Sequence, residues 1–258
     1  MPVNPSRSQY RQAADLIRAA IEGGDHPRGE ALPREDDLAE KLGVDRSTIN
    51  RALRILAAEG LVQPIRAKGT IVNAIPRIRR NAVARYAREA RERAGARGPF
   101  ETEIRGLGMT PKTVVEVGRS VPPAGVAAIL DVSADDVSTV KRARRMFADE
   151  TPVQLADSYL PLELAAGTAI ETENSGTGGI ISRLAEIGHA QVRITEEVDV
   201  RPPTPEEANF LGLSEDHRVY AITHVGWTSE DRAVEVCLHV MPTHLWTLEY
   251  EFPADTPA

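Results

Sequence analysis

Four polar residues open one amphipathic stretch of this chain: Arg46, Ser47, Thr48 and, one step on, Asn50. A guanidinium forks onto guanine, an Asn amide matches adenine, and hydroxyls bond bases or phosphates, so these types in one helical turn suit the DNA major groove. None of them suits a packed core. Farther along, Arg142 and Arg144 alternate in an extended stretch and so share a face, where two guanidinium groups can clamp a carboxylate or a phosphate. The run Ser175-Gly176-Thr177-Gly178-Gly179 leads into a helical pattern, and free amides around Gly178 and Gly179 can hold an anion at the positive end of the helix dipole. Glu235 shares a strand face with Cys237 and His239 and can accept from ligand hydroxyls or amines. Each of these three also has a plain structural reading: arginines paired with nearby carboxylates, a flexible glycine turn, a glutamate facing water. The six His show no metal-ligand spacing, no Ser/His/Asp or Cys/His set is legible, and no metal or cofactor is expected.

The first set needs a helix pair to aim it. Leu38, Ala39 and Leu42 lie on one face of a short helix, and Gly43 supplies the left-handed stop. Asp45 stands where an N-cap acceptor serves a second helix, whose apolar positions Ile49, Ala52, Leu53 and Leu56 recur at three and four residues before Gly60 closes it. Helix, glycine turn and second helix form the helix-turn-helix pattern, in which the first turn of the second helix meets base edges. Upstream, Ser6-Arg7-Ser8-Gln9 fits a capping box, and Tyr10, Ala13, Ala14, Ile17, Ala20 and Ile21 keep helical spacing up to Gly23-Gly24. This third helix covers the other two. After Gly60 the period changes, and residues 61–65 and 70–72 around Arg66-Ala67-Lys68-Gly69 predict a two-stranded hairpin with a basic tip, a wing.

These residues resemble the head of the GntR family of bacterial transcription regulators. The resemblance rests on Leu32-Pro33, Leu38-Ala39, Arg46-Ser47-Thr48, Glu59-Gly60-Leu61 and Gly69-Thr70. It departs from the family pattern at Ala67, where Gly is usual, at Asp45, where Ser is usual, and at Asn50, often Arg. The resemblance implies that Arg46, Ser47, Thr48 and Asn50 read the major groove, that Arg34 and Arg51 hold phosphates, and that Arg66, Lys68 and Gly69 place the wing on the DNA.

Beyond residue 100 the pattern predicts strands at 113–121, 137–147, 153–160, 192–200, 219–227, 233–241 and 246–252. Helices are expected at 124–130, after Gly179 with Ile180, Ile181, Leu184 and Ile187, and from Thr204-Pro205-Glu206-Glu207, with Pro at the first helical position and acids in the first turn. Mixed strands and short helices predict an α+β domain with an antiparallel sheet. This half resembles the ligand-sensing UTRA domain of the HutC subfamily of GntR regulators, whose fold is like chorismate lyase. The carrying residues are Pro122-Pro123 ahead of Ala127, the basic strand residues Arg142 to Arg145, Ser158-Tyr159-Leu160-Pro161, Thr204-Pro205-Glu206-Glu207-Ala208, and Glu235. The chain also resembles actinobacterial members of that subfamily, some of which control plasmid transfer.

Charge divides the chain in the same place. The net charge of -7 looks wrong for a DNA binder, but residues 1–99 hold 19 Lys and Arg against 12 Asp and Glu, whereas residues 100–258 hold 12 against 26. Residues 76–99 carry 8 Arg and 2 Glu and little apolar surface beyond Val83 and Tyr86, which predicts a basic, partly helical linker able to add phosphate contacts. The single cysteine, Cys237, forms no intrachain disulfide and fits a reducing cytoplasm. No apolar run approaches a membrane span, and no membrane partner is expected.

The expected organisation is a winged helix-turn-helix domain at 1–75, a basic linker at 76–99 and an effector-sensing, dimerising domain at 100–258. The resemblance implies a homodimeric cytoplasmic repressor on a two-fold DNA operator, modulated by a small-molecule effector; the residue types offer Arg142, Arg144, Gly178, Gly179 and Glu235 as its contacts. Two other readings are a working catalyst on the chorismate-lyase-like fold, for which no acid/base pair is legible, and a ligand-independent plasmid-maintenance or architectural DNA binder.

Overall fold

A computed structural model describes residues 8–65, 68–87, 98–214 and 216–252. The chain divides into two units, Met1–Arg77 and Ile78–Ala258.

In the first unit, α1 (Gln9–Glu22), α2 (Glu35–Leu42) and α3 (Arg46–Ala58) bury their apolar stripes in one core. The stripes meet as the spacing predicts: Ala13, Ala14, Ile17 and Ile21 from α1, Leu38 and Ala39 from α2, Ile49, Ala52, Leu53 and Leu56 from α3. Each large aliphatic side chain buried this way contributes roughly 1.5–3 kcal/mol. Gly43 ends α2 at φ 66°, where a side chain would be strained. Arg18 forks onto the Glu59 carboxylate at 2.7–3.0 Å and ties α1 to the end of α3. The wing follows as β1 (Val62–Ile65) and β2 (Gly69–Val72), antiparallel, with Val62 opposite Val72 and both buried in the same core. Ser8 precedes α1 without a side-chain cap, and Ser6 of the expected capping box lies outside the described residues.

The second unit opens with β3 (Ile78–Asn81), a short 3-10 turn at Ala84–Tyr86, and α4 (Pro99–Gly106). Then come β4 (Pro111–Ser120), α5 (Ala124–Leu130), β5 (Thr139–Ala148), β6 (Thr151–Pro161), α6 (Leu162–Ala165), α7 (Gly179–Glu186), β7 (Arg193–Arg201), α8 (Pro205–Leu211), β8 (Val219–Trp227), β9 (Ala233–Pro242) and β10 (Trp246–Glu249). Six strands form an antiparallel sheet in the order β4-β5-β6-β9-β8-β7. Thr204 caps α8 in a full capping box with Glu207. Strand β10 stops at Glu249, short of the expected end at 252, and pairs in parallel with β3.

That pairing corrects the expectation for the basic stretch. Ile78 is fully buried, and Arg80 points inward with no exposed surface. Its guanidinium forks onto Glu196 of β7, with Nη1 at 2.8 Å from Oε2 and Nη2 also on Oε1. Arg80 thus serves the sensing unit's interior and is withdrawn from the phosphate contacts expected of the linker, whereas its neighbour Arg79 stays at the surface.

The sheet has two unlike faces. Tyr159, Val225 and Val236 pack against Val126 and Leu130 of α5, and Leu155 and Val219 pack against Leu211 of α8. The opposite face is polar. Register places Val117, Arg142, Ser158, Cys237, His224 and Glu196 in one row across all six strands. The next row holds Val115, Arg144, Ala156 and His239. Residues of α4, the 3-10 turn and the start of α7 stand over this face and leave a space above it.

Candidate functional site

Two surfaces gather the residues singled out by type. On the first unit, Asp45 caps α3 as its position predicts. Its Oδ1 accepts from Thr48 N at 2.8 Å and Ser47 Oγ at 2.6 Å, and its Oδ2 accepts from Thr48 Oγ1 at 2.9 Å. Those bonds, the Ser47 hydroxyl first, pull the Asp45 carboxyl down to about 2. The two hydroxyls therefore carry their lone pairs outward while their protons serve the cap.

Arg46 and Asn50 are exposed, and both reach Glu35 of α2: Arg46 Nε donates to Oε2 at 2.9 Å, and Asn50 Nδ2 lies 3.5 Å from Oε1. Glu35 was not singled out in the sequence, although its position at the start of α2 places it beside the first turn of α3. Arg34 immediately precedes α2 and is exposed. The Arg51 guanidinium lies over the Tyr10 ring, its Cζ 3.8 Å from the centroid, and the residue is exposed. At the wing tip Lys68 and Gly69 are exposed, and Gly69 takes φ 84°, a turn that favours glycine. Arg66 lies outside the described residues. The described members of the set thus fall into a helix-turn-helix group and a wing group.

In the second unit a cavity of about 460 Å³ lies on the polar sheet face, within the range of roughly 300–1,000 Å³ usual for small-molecule pockets. Arg142, Arg144, Gly178, Gly179 and Glu235 all line it, so the structure brings all five together. Arg142 is 3 % exposed and donates from Nη1 to the Ile170 carbonyl at 2.6 Å and the Thr172 carbonyl, and from Nη2 to the Glu173 carbonyl at 2.9 Å. Burial first, and the neighbouring Arg144 second, push its pKa down to about 10, which leaves it cationic at neutral pH. Arg144 donates to Ser158 Oγ at 2.5 Å and to Cys237 Sγ at 3.1 Å. Neither arginine has an ion-pair partner among the described residues, so the plain reading of them as paired with carboxylates does not hold.

Glu235 is 4 % exposed, which removes its reading as a solvent-facing side chain. Its Oε1 accepts from Ser158 Oγ at 2.8 Å, and its Oε2 accepts from Gln191 Nε2 at 2.9 Å. Gly178 and Gly179 take φ 79° and 65° at the mouth of α7, and the loop before them is tied by Arg183 Nη1 donating to the Ser175 carbonyl at 3.1 Å.

The cavity holds further groups that sequence reasoning missed. Gln154 is 1 % exposed, its Nε2 lies 2.8 Å from His239 Nδ1, and its Oε1 has no partner among the described residues. Either orientation of the amide leaves one of its polar atoms unmet. Burial, then the positive neighbours Arg80, His224, Arg144 and Arg85, hold His239 well below the ordinary histidine range and therefore neutral. Burial also raises the Cys237 thiol to about 11, which makes it an inert small group. Alternation along 154–158 was enough to place Gln154 on the Arg144 side of the sheet. Arg85 and Tyr86 had no such signal, because their segment has no period. Among the described residues no group of three or more His, Cys, Asp or Glu could hold a metal ion, and no helix is long and apolar enough to cross a membrane.

A helix-turn-helix head with a wing, joined in one chain to an α+β unit with a cavity, is the architecture of a DNA-binding transcription regulator. Comparison with known proteins gives the same class. Residues 9–72 match the bacterial regulatory proteins of the gntR family, and residues 106–245 match the UTRA domain. The chain is 28% identical over 257 residues to the HTH-type transcriptional regulator SCO4628 of Streptomyces coelicolor, covering 96% of this chain and 95% of that one. It is 25% identical over 227 residues to the HTH-type transcriptional repressor NagR of Bacillus subtilis, covering 88% and 87%. The fold is that of PhnF from Mycobacterium smegmatis, with a TM-score of 0.57 at 22% identity over 94% of this chain and 99% of that one. This chain belongs to the GntR family of transcription regulators, as a GntR/HutC-type member with a UTRA ligand-binding domain.

Proposed function

We propose that this regulator is a homodimeric repressor acting in the cytoplasm on a two-fold operator, released or retained according to whether a small anion fills the UTRA cavity. The observation that carries the effector reading is the pair Arg142 and Arg144: two cations lining one cavity with no ion-pair partner among the described residues. Burying a guanidinium without an anion is costly, and an incoming phosphate or carboxylate would supply the missing charge. The unmet Gln154 amide atom and the Glu235 carboxylate favour a ligand that also carries hydroxyl or amide groups.

On the DNA side, Arg46, Ser47, Thr48 and Asn50 are the base-reading set, Arg34 and Arg51 are phosphate contacts, and Arg66, Lys68 and Gly69 belong to the wing. Their types and exposure support this, as does the helix-turn-helix geometry. The repressor sense is supported by the name of the NagR relative. Dimerisation through the second unit is supported by its sheet, which ends in the edge strands β4 and β7 with Val114 and Val200 exposed, since an open apolar edge invites cover. The proposed functional division is a DNA-binding head to residue 75, a basic junction at 76–99 and a sensing domain from 100, with β3 of the junction paired to β10 of the sensing unit.

The test is to bind the full-length protein to DNA from its own upstream region and add phosphorylated and carboxylated metabolites one at a time. The expected result is at least one compound that raises the melting temperature and changes DNA affinity, with Arg144→Gln keeping DNA binding and losing the response. A broad panel with neither effect would leave a ligand-independent DNA binder.

A further inference from the structure

Two buried ion pairs of very different quality lie beside the cavity, and only Arg85 of their four members lines it. Arg80 and Glu196 make a forked pair, and Glu196 also accepts from the Tyr86 hydroxyl at 2.7 Å and lies 3.3 Å from His224 Nδ1. Both charges of that pair are met by hydrogen bonds, and only Arg80 Nε lacks a partner among the described residues. Arg85 and Glu103, a few residues on, approach only to 3.6 Å. Arg85 is 7 % exposed, yet among the described residues its Nε and Nη1 have no hydrogen-bond partner, and neither do Oε1 and Oε2 of Glu103. A buried pair without hydrogen bonds does not recover the cost of taking two charges out of water, so this arrangement is a weak resting contact. Burial accordingly raises the Glu103 carboxyl above its ordinary range, although Arg85 and Arg80 oppose this. Arg85 itself lines the cavity, together with Arg142 and Arg144.

We propose that Arg85 is a third anion-binding group of the cavity, held in reserve by Glu103, and that its transfer to a bound anion moves the turn at residues 82–87 that follows β3. The inference rests on the reading that the cavity takes an anion. A phosphate or carboxylate entering among Arg142 and Arg144 offers Arg85 the charged acceptors that Glu103 fails to provide in hydrogen-bonding geometry. The movement has a rigid lever to act on. Asn81 Oδ1 accepts from Val83 N at 3.1 Å and Ala84 N at 2.7 Å, which fixes the turn between β3 and Arg85. Next to Arg85, the Tyr86 hydroxyl is held between Glu196 and Arg80 Nη2, the latter at 3.0 Å. Strand β3 in turn begins where the head unit ends. Occupancy of the cavity is thereby linked to the one stretch of chain that leads to the DNA-binding unit.

The test uses full-length protein and inorganic phosphate, followed by calorimetry and by amide hydrogen exchange. Arg144→Gln reports on the anion site alone, whereas Glu103→Gln, close in volume, removes the competitor for Arg85. The expected results are loss of phosphate binding in Arg144→Gln, binding about three- to tenfold tighter in Glu103→Gln, and no such gain when Glu103→Gln is combined with Arg85→Gln. In the unsubstituted protein, phosphate should change exchange at the amides of residues 82–87. Phosphate bound no tighter by Glu103→Gln, with Arg144→Gln still losing it, would overturn the reserve role and leave the anion site standing. Binding without any change at residues 82–87 would overturn the link to the connector. Failure of both the unsubstituted protein and Glu103→Gln to bind phosphate at millimolar concentration would overturn the site and the reserve role together.

Discussion

Replacing Glu196 with Gln isolates the buried pair that anchors β3 to the main sheet. The side chains of Arg80 and Glu196 are 0 % and 8 % exposed, so losing the carboxylate leaves a guanidinium charge in the interior with only the Tyr86 hydroxyl and the new amide as partners. Breaking a buried pair in this way costs about 3–5 kcal/mol. With a urea dependence of about 2–3 kcal/mol per molar for a unit of this size, the unfolding midpoint should fall by roughly 1–2 M. The assay is selective, because both tryptophans, Trp227 and Trp246, lie in the second unit and fluorescence follows that unit alone. Despite the cost of burial, hydrogen bonds from Arg80 and His224 hold the Glu196 carboxyl well below its ordinary range. The pair's contribution is therefore complete above the unfolded carboxyl value near 4.3 and is lost as pH falls through the depressed folded value. The gap between the two proteins should be constant from about pH 6 to 8 and close in acid. Arg80→Met combined with Glu196→Gln should recover most of the loss, since no unpaired charge remains. A midpoint shift for Glu196→Gln below about 0.3 M, the scale of a surface pair, would refute the argument.

Other perturbations test the head and its surface. Leu56 is fully buried, and Leu56→Ala should destabilise the first unit by about 2–5 kcal/mol, read by amide exchange in residues 9–65; unchanged protection would contradict the packing. Arg46→Ala should weaken specific DNA binding about tenfold or more and relax preference at one base position, whereas an equal loss on all sequences would make Arg46 a phosphate contact. Glu35→Gln removes the carboxylate shared by Arg46 and Asn50, leaving Arg46 with only Asp36 at 3.6 Å, and should raise affinity for nonspecific DNA with a steeper salt dependence, checked by fluorescence anisotropy. Asp45→Ala removes the cap of α3. Because the Asp45 carboxyl is lowered to about 2, its contribution is present above the unfolded value near 3.8 and lost towards pH 2, so variant and parent should differ in melting at pH 7 and converge in strong acid.

Strong periodicity made much of this architecture legible. The three helices of the head, the wing and the long strands of the sheet lie close to where spacing placed them, because each carries its burial pattern in its own three-and-four or alternating spacing. Residues 78–81 read as charge, since Arg79 and Arg80 sit in an arginine run. Their strand character comes from pairing with Trp246–Glu249 at the far end of the chain and from Glu196, neither visible in the local pattern. The cavity divides in the same way. Arg142, Arg144 and Glu235 belong to alternating strands, and their shared face follows from period two. Arg85, Tyr86 and Phe100 form its other side from irregular or short elements, whose inward direction is a tertiary fact.

The most direct test of the account is a selection of DNA from a random pool by the full-length protein, followed by affinity measurement on the winner at two salt concentrations with excess nonspecific competitor. The account predicts a two-fold symmetric sequence bound in the nanomolar range, resistant to competitor and weakened by an anion that raises the melting temperature. Selection of no common sequence, with binding that vanishes as salt rises and no response to any anion, would contradict it.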